Sequence, residues 1–175
     1  MAVHKSPKLP ENALWEYALR VLGHRAHSAA QLRQKLSRRA DSPATLSAVM
    51  EKLREYSFID DQKFSDVFAA SRLQNNGFGR LRVLQDLRAR QVASTVAEEA
   101  VSKAFAGVEE HELIQQFLDR KYRSIDLKTF LQEEKNLASA YRRLRIAGFS
   151  SQGSLGALRR YNRRTEDWNE PEGLD

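Results

Sequence analysis

The chain contains no cysteine, which excludes disulfide bonds and thiolate metal sites and is what a protein of the reducing cytoplasm would show. No stretch of eighteen apolar residues is present, so no membrane-spanning helix is expected. The opening residues, MAVHKSPKLP, have no apolar core of the kind a secretory signal needs. No run alternates strictly between apolar and polar residues, so no sheet is expected. No Ser/His/Asp or Cys/His arrangement is apparent, so neither catalysis nor a cofactor is expected. What remains is a 175-residue chain, 41% hydrophobic and 30% charged, long enough to bury a core beneath a polar surface.

The charge is unevenly placed. The whole chain carries +6, but the last ten residues, EDWNEPEGLD, hold five acids and no base. The rest sets 29 basic against 18 acidic residues, a net of +11. Such a body suits a polyanion or an acidic protein face; the alternative is a solvated surface that maintains solubility.

A helical unit recurs three times, anchored at Leu36, Leu87 and Leu144, which are 51 and 57 residues apart. One turn before each anchor stands Leu32, Val83 or Ala140. Four residues after it stands a small or turn-tolerant residue, Ala40, Gln91 or Gly148. A new apolar stripe then begins at Leu46, Val96 or Leu155. A period of this size indicates stacked helical units. The expected organisation is a flexible arm over 1–10, repeats over 11–58, 59–107 and 108–164, and an acidic tail over 165–175.

Local signals mark the helix ends. Ser28 and Gln31 form a capping-box pattern, and Ser42 followed by Pro43 supplies a cap and a first-turn proline. Phe58 and Ile59 read as a hydrophobic staple, and Asp60 or Asp61 as the cap of the helix that follows. Gly77 and Gly79 flank Phe78 in a tight turn that lets two helices approach. In the third repeat one long helix is expected over about 128–147, then a weaker one over about 151–161, where Gly153 and Gly156 each cost about 1 kcal/mol.

Several pairs of residues carry groups capable of chemistry. His24 and His27 have the spacing of two metal ligands but no third beside them, so no metal site is expected, and both suit a helix C-terminus. Asp60 and Asp61 fit capping better than acid–base work. The Gly77–Arg80 segment lacks phosphate-loop spacing, although an arginine-rich helix start can hold an anion. Trp15 and Tyr17 read as packing residues; stacking on bases is the alternative. The better candidates are basic: Arg72, Arg80, Arg82, Arg88 and Arg90 around the central turn, and Arg142, Arg143 and Arg145 in the third repeat. Further basic residues are Arg120, Lys121, Arg123 and Lys128, then Arg159, Arg160, Arg163 and Arg164. Arginine outnumbers lysine in the central group, which suits bidentate contacts to phosphate or carboxylate.

Two segments, ALRVLGHRAHSAAQLRQKL (18–36) and FIDDQKFSDVFAASRLQNNGFGRLRVLQDLRARQV (58–92), resemble the RecX family of bacterial recombination regulators. The Asp60–Asp61 pair, Phe64, Arg72, the Gly77/Gly79 turn and Leu87 fall where the family pattern has them. The likeness continues more loosely through YRRLRIAGFS (141–150). The chain departs from the pattern at Arg80, where many members have proline, and in the glycines of its last helix. The resemblance implies an all-α fold, an elongated, curved array of three tandem three-helix repeats. It further implies a monomer that binds the RecA recombinase and its filament on DNA. Family members limit filament growth, ATPase and strand exchange in DNA repair and the SOS response, and some bind DNA directly. The alternative is a stand-alone basic helical protein that binds DNA or RNA. Contacts are expected to lean on the second and third repeats, so reversing Arg80 and Arg88 should cost more function than reversing Arg38 and Arg39.

Overall fold

A computed structural model describes residues 7–162. Among these the chain is all-α, with no strand, and it divides into two compact units. The first unit takes in the residues up to Phe68 together with Leu87–Ala100; the second takes in Ala69–Asp86 and the residues from Val101 onward. The acidic tail, Arg163 and Arg164 lie outside the described residues.

The first unit begins with α1 (Glu11–His24), α2 (Ala29–Ser37) and α3 (Pro43–Glu55), each packed on the other two. Their apolar residues recur every three to four positions, so each helix turns one stripe inward. Leu14, Ala18, Leu32, Leu36, Val49, Met50 and Leu53 are buried there essentially without exposure. Burying each leucine contributes about 1.5–3 kcal/mol. Ser28 accepts the Gln31 N–H and Ser42 accepts the Thr45 N–H, both at 3.1 Å, as the sequence pattern predicts. Leu9 donates to the Arg39 carbonyl at 2.7 Å and accepts from the Asp41 N–H at 3.2 Å, so the chain ahead of α1 is tied down beside Ala40.

The next helices are α4 (Asp61–Ser71), α5 (Arg80–Arg88) and α6 (Ser94–Ala104), and the division between the units falls inside all three. A π-helical turn, Arg72–Asn76, follows α4 and ends at Gly77, whose φ of 59° suits glycine. The three repeat anchors, Leu36, Leu87 and Leu144, are fully buried, as are their partners Leu32, Val83 and Ala140. Two of the three positions four residues beyond an anchor take left-handed backbone: Gln91 at φ 60° and Gly148 at φ 90°.

The second unit adds α7 (Glu110–Lys121), α8 (Leu127–Phe130), α9 (Glu134–Ile146) and α10 (Ser151–Arg159). The long helix expected over 128–147 is therefore two. Asp126 caps α8 by accepting the Lys128 N–H and the Thr129 hydroxyl, and α9 restarts at Glu134. The core is built from Ile114, Leu118, Leu131, Tyr141, Leu144, Phe149 and Leu158, with α10 resting on α7 and α9. Phe117 meets Phe149 edge-on at 5.5 Å.

The last helix is regular despite its glycines. Glu110 accepts the Ser150 N–H at 2.7 Å and the Ser150 hydroxyl at 2.6 Å, and Ser150 in turn accepts the Gly153 N–H at 2.9 Å. A β-carbon on Gly153 would collide with the Glu110 carboxylate and the Ser150 hydroxyl, whereas Gly156 faces open space. Gly156→Ala should therefore stabilise the protein by about 0.5–1 kcal/mol, the ordinary helix gain. Gly153→Ala should instead destabilise it by about 1 kcal/mol or more, because the clamp must loosen. Urea midpoints of the two variants check this: equal gains would show that the Glu110 clamp has room to give.

Candidate functional site

In the second unit, Asp86 gathers two of the predicted arginines. Arg72 Nε lies 3.5 Å and Arg82 Nε 3.1 Å from its carboxylate, and only 16% of the aspartate side chain is exposed. The Arg82 pair is favoured locally, because the two residues are one helical turn apart in α5. Arg72 also donates to the Asn76 side chain at 3.3 Å. Both guanidinium groups lie over the Phe78 ring, at 5.9 and 5.5 Å. The half-buried Phe78 ring thus meets both cations, a contact that helps hold them in place.

Arg82 donates to the Ile146 carbonyl at 3.4 Å. Arg145 donates to the Phe149 carbonyl at 2.8 Å. Together with Leu81, Gln85 and Ile146 these arginines line a groove of about 270 Å³. Leu81 and Ile146 are 46% and 62% exposed and put apolar surface on its walls. The groove therefore offers two fixed cations flanked by two exposed aliphatic groups.

Its walls are held by a backbone junction. Gly79 donates to the Ala147 carbonyl at 2.8 Å, and Leu81 donates to the Gly148 carbonyl at 3.1 Å. A β-carbon on Gly79 would overlap the Gly148 carbonyl, and one on Gly148 would overlap the Arg82 backbone. The Gly77–Gly79 turn is thus a close approach, as the sequence suggested, and its partner is the Ala147–Gly148 turn. Arg120 on α7 donates to the Asn76 carbonyl and closes the other side of that turn.

The predicted basic residues do not form one cluster. Arg80, Arg142 and Arg143 are exposed in the second unit. Arg88 and Arg90 belong to the first unit. There Arg88 pairs with Glu98 at 3.1 Å in an exposed bridge that contributes little. Arg90 lies 4.3 Å above the Phe68 ring, and its carbonyl accepts the Ser28 hydroxyl at 2.5 Å. Arg90 is therefore tied into the packing of its own unit.

Of the two neighbouring acids, Asp60 caps α4 by accepting the Lys63 N–H at 2.9 Å. Asp61 reaches away and accepts the Ala29 N–H at 2.7 Å, serving the start of α2. Sequence reasoning assigned both to capping one helix and missed that long-range role, together with those of Asp86 and Glu110. Trp15 packs edge-on against Tyr56 at 6.0 Å and Phe58 at 5.8 Å, with Lys52 4.7 Å above its ring. The expected staple differs accordingly: Ile59 is buried, while Phe58 stays half exposed beside Trp15. Among the described residues no three His, Asp or Glu side chains come together as metal ligands, and no helix is long and apolar enough to cross a membrane.

Comparison with known proteins adds a second line of argument. A family model described as RecX, first three-helix domain, matches residues 15–53, and one described as RecX, second three-helix domain, matches residues 60–101. The regulatory protein RecX of Deinococcus radiodurans is 30% identical over 158 residues, covering 89% of this chain and 72% of that protein. Its counterpart from Halorhodospira halophila is 39% identical over 92 residues; that match covers 53% of this chain and little more than half, 56%, of the relative. A crystal structure of RecX from Lactobacillus salivarius superposes with a TM-score of 0.62 over 87% of this chain and 96% of that one. At 14% identity, this is a likeness of fold alone.

Proposed function

The chain belongs to the RecX family of regulatory proteins, and from that membership we propose that it binds the RecA recombinase on DNA and restrains its filament. The role is one of regulation by contact, without catalysis. The observation that carries this reading is the Arg82–Arg145 groove with Leu81 and Ile146 beside it. A phosphodiester backbone is held by cations and hydrogen-bond donors and gains little from exposed aliphatic groups. Exposed aliphatic groups next to fixed guanidinium groups suit an acidic protein face with apolar side chains of its own.

The cations steer the approach, and the aliphatic groups supply the desolvated contact. Guanidinium groups already anchored on the Ile146 and Phe149 carbonyls lose little freedom on binding, which reduces the cost of association. A filament presents the same face many times over, so modest contacts at more than one subunit would reinforce each other through effective concentration. A protein held across subunits opposes subunit addition and the motion linked to ATP turnover.

The test is the ATPase rate of RecA on single-stranded DNA with this protein added at stoichiometric amounts. A clear fall in rate is expected; an unchanged rate would overturn the proposal. A second reading, direct nucleic-acid binding, draws on the body's net +11 and on exposed Arg142 and Arg143. It demands affinity for naked DNA that falls steeply with salt, by about 0.9 log units per tenfold of salt for each phosphate neutralised on a duplex.

A further inference from the structure

The first unit contains a feature that the filament reading does not use. A cavity of about 800 Å³ lies against α1, α2 and the segment leading into α1. Five cations line it, Lys8, Arg25, Lys35, Arg38 and Arg39, and among the described residues no carboxylate does. They come from three separate stretches of chain, so the grouping is a product of the fold. Lys8 is brought in by the backbone ties of Leu9 to Arg39 and Asp41. Arg25 precedes α2, Lys35 lies on its last turn, and Arg38 and Arg39 follow it.

The geometry points to a binding site for the polyphosphate of a free nucleotide, held by these five cations. Like charges so placed repel one another, and an entering anion with two or more charges turns that repulsion into attraction. Three of the five are arginines, whose forked donors match phosphate oxygens in pairs. The volume lies in the range of small-ligand sites. Arg39 lies 5.1 Å from the centre of the Tyr17 ring, which orients its guanidinium plane. Its Nε is shielded from solvent and makes no hydrogen bond, leaving a donor unused on the wall of the cavity.

His27 provides a built-in reporter. It is 6% exposed and lines the same cavity. Its Nδ1–H donates to the Arg25 carbonyl at 2.9 Å, and its Nε2 accepts from Arg25 Nε at 3.3 Å, so the ring is held neutral. Burial is the main cause that lowers its pKa below the ordinary 6.5; the charges of Arg25 and Lys35 push the same way, against the hydrogen bond to the Arg25 carbonyl. An anion among these cations, with the Tyr17 hydroxyl as the other titratable group on the wall, cancels part of that charge and raises the His27 pKa. The sign for folding follows: the neutral ring favours the folded state above pH 6.5, and that contribution is lost as the pH falls toward the lowered value.

The experiment is an NMR titration of the His27 ring in the full chain, with inorganic pyrophosphate, ATP, an oligothymidylate strand and a polyglutamate peptide as probes. Pyrophosphate and at least one nucleotide probe should shift the ring signals and raise the His27 pKa. Lys35→Gln with Arg38→Gln, both exposed positions, should weaken that binding about tenfold or more without unfolding the protein. ATP should bind more tightly than the strand; tighter binding of the strand would overturn the free-nucleotide site. If no probe moves His27, or if polyglutamate competes as well as pyrophosphate does, the phosphate site is overturned. Lys35→Gln with Arg38→Gln leaves the Arg82–Arg145 groove intact, so failure of this site and failure of the RecA reading are told apart.

Discussion

Gly148→Ala is expected to cost about 3 kcal/mol, among the largest effects of any single methyl group in this chain. Two penalties add. At φ 90° a side chain meets its own backbone, which costs about 1 kcal/mol. The new β-carbon would also overlap the backbone of Arg82 at the start of α5, which cannot swing aside as a side-chain end can, and overpacking of this kind costs about 1–3 kcal/mol. The bond from Leu81 to the Gly148 carbonyl would stretch with it. Gln91, at the equivalent repeat position, already carries a side chain at φ 60°, so Gln91→Gly should be nearly neutral by comparison. Urea unfolding of the Gly148→Ala protein checks the point, and a loss below about 1 kcal/mol would mean that the turn relaxes.

The second large effect is functional. Leu81→Asp combined with Ile146→Asp should weaken the action on RecA about a hundredfold. Both side chains are exposed, so folding should change little. In a desolvated contact each would be worth about 1–2 kcal/mol, and an aspartate set against an acidic face adds repulsion. Together that is about 3 kcal/mol, or roughly two powers of ten. The dose needed to halve the RecA ATPase rate measures this, with naked-DNA affinity as the control. A variant that keeps full action on RecA would place the contact elsewhere; equal losses on RecA and on naked DNA would favour direct nucleic-acid binding.

How much of this could be seen in the sequence depends on range along the chain. The caps at Ser28, Ser42 and Asp60 act on residues three positions ahead, and each was legible. So were the three buried anchors, because a helix repeats its face every few residues. The break between α8 and α9 was missed, although Asp126 ahead of Thr129 is a capping signal. Roles that span the fold were not legible: Asp61 on the start of α2, Glu110 on the start of α10, and Arg82 with Arg145 at one groove. The basic residues read as one display because charge has no periodicity to separate those that meet from those that do not. The meeting of Lys8 and Arg25 with Arg38 and Arg39 was not legible for the same reason.

The way the two compact units draw on the chain bears on how the protein acquires its structure. The second unit needs Ala69–Asp86 as well as the residues beyond Val101, while the intervening segment belongs to the first. Neither unit can therefore be cut out as one continuous fragment: a cut between the first and second repeats would divide the first unit, and one between the second and third would divide the second. The Gly79–Ala147 bond joins residues far apart in the chain. The entropy of closing that loop must be met before the contact gives anything back, which slows folding relative to a purely local helical array. A chain emerging from the ribosome can complete α1–α3 early, whereas α5 must wait for the turn after α9 before its glycine-lined junction can close.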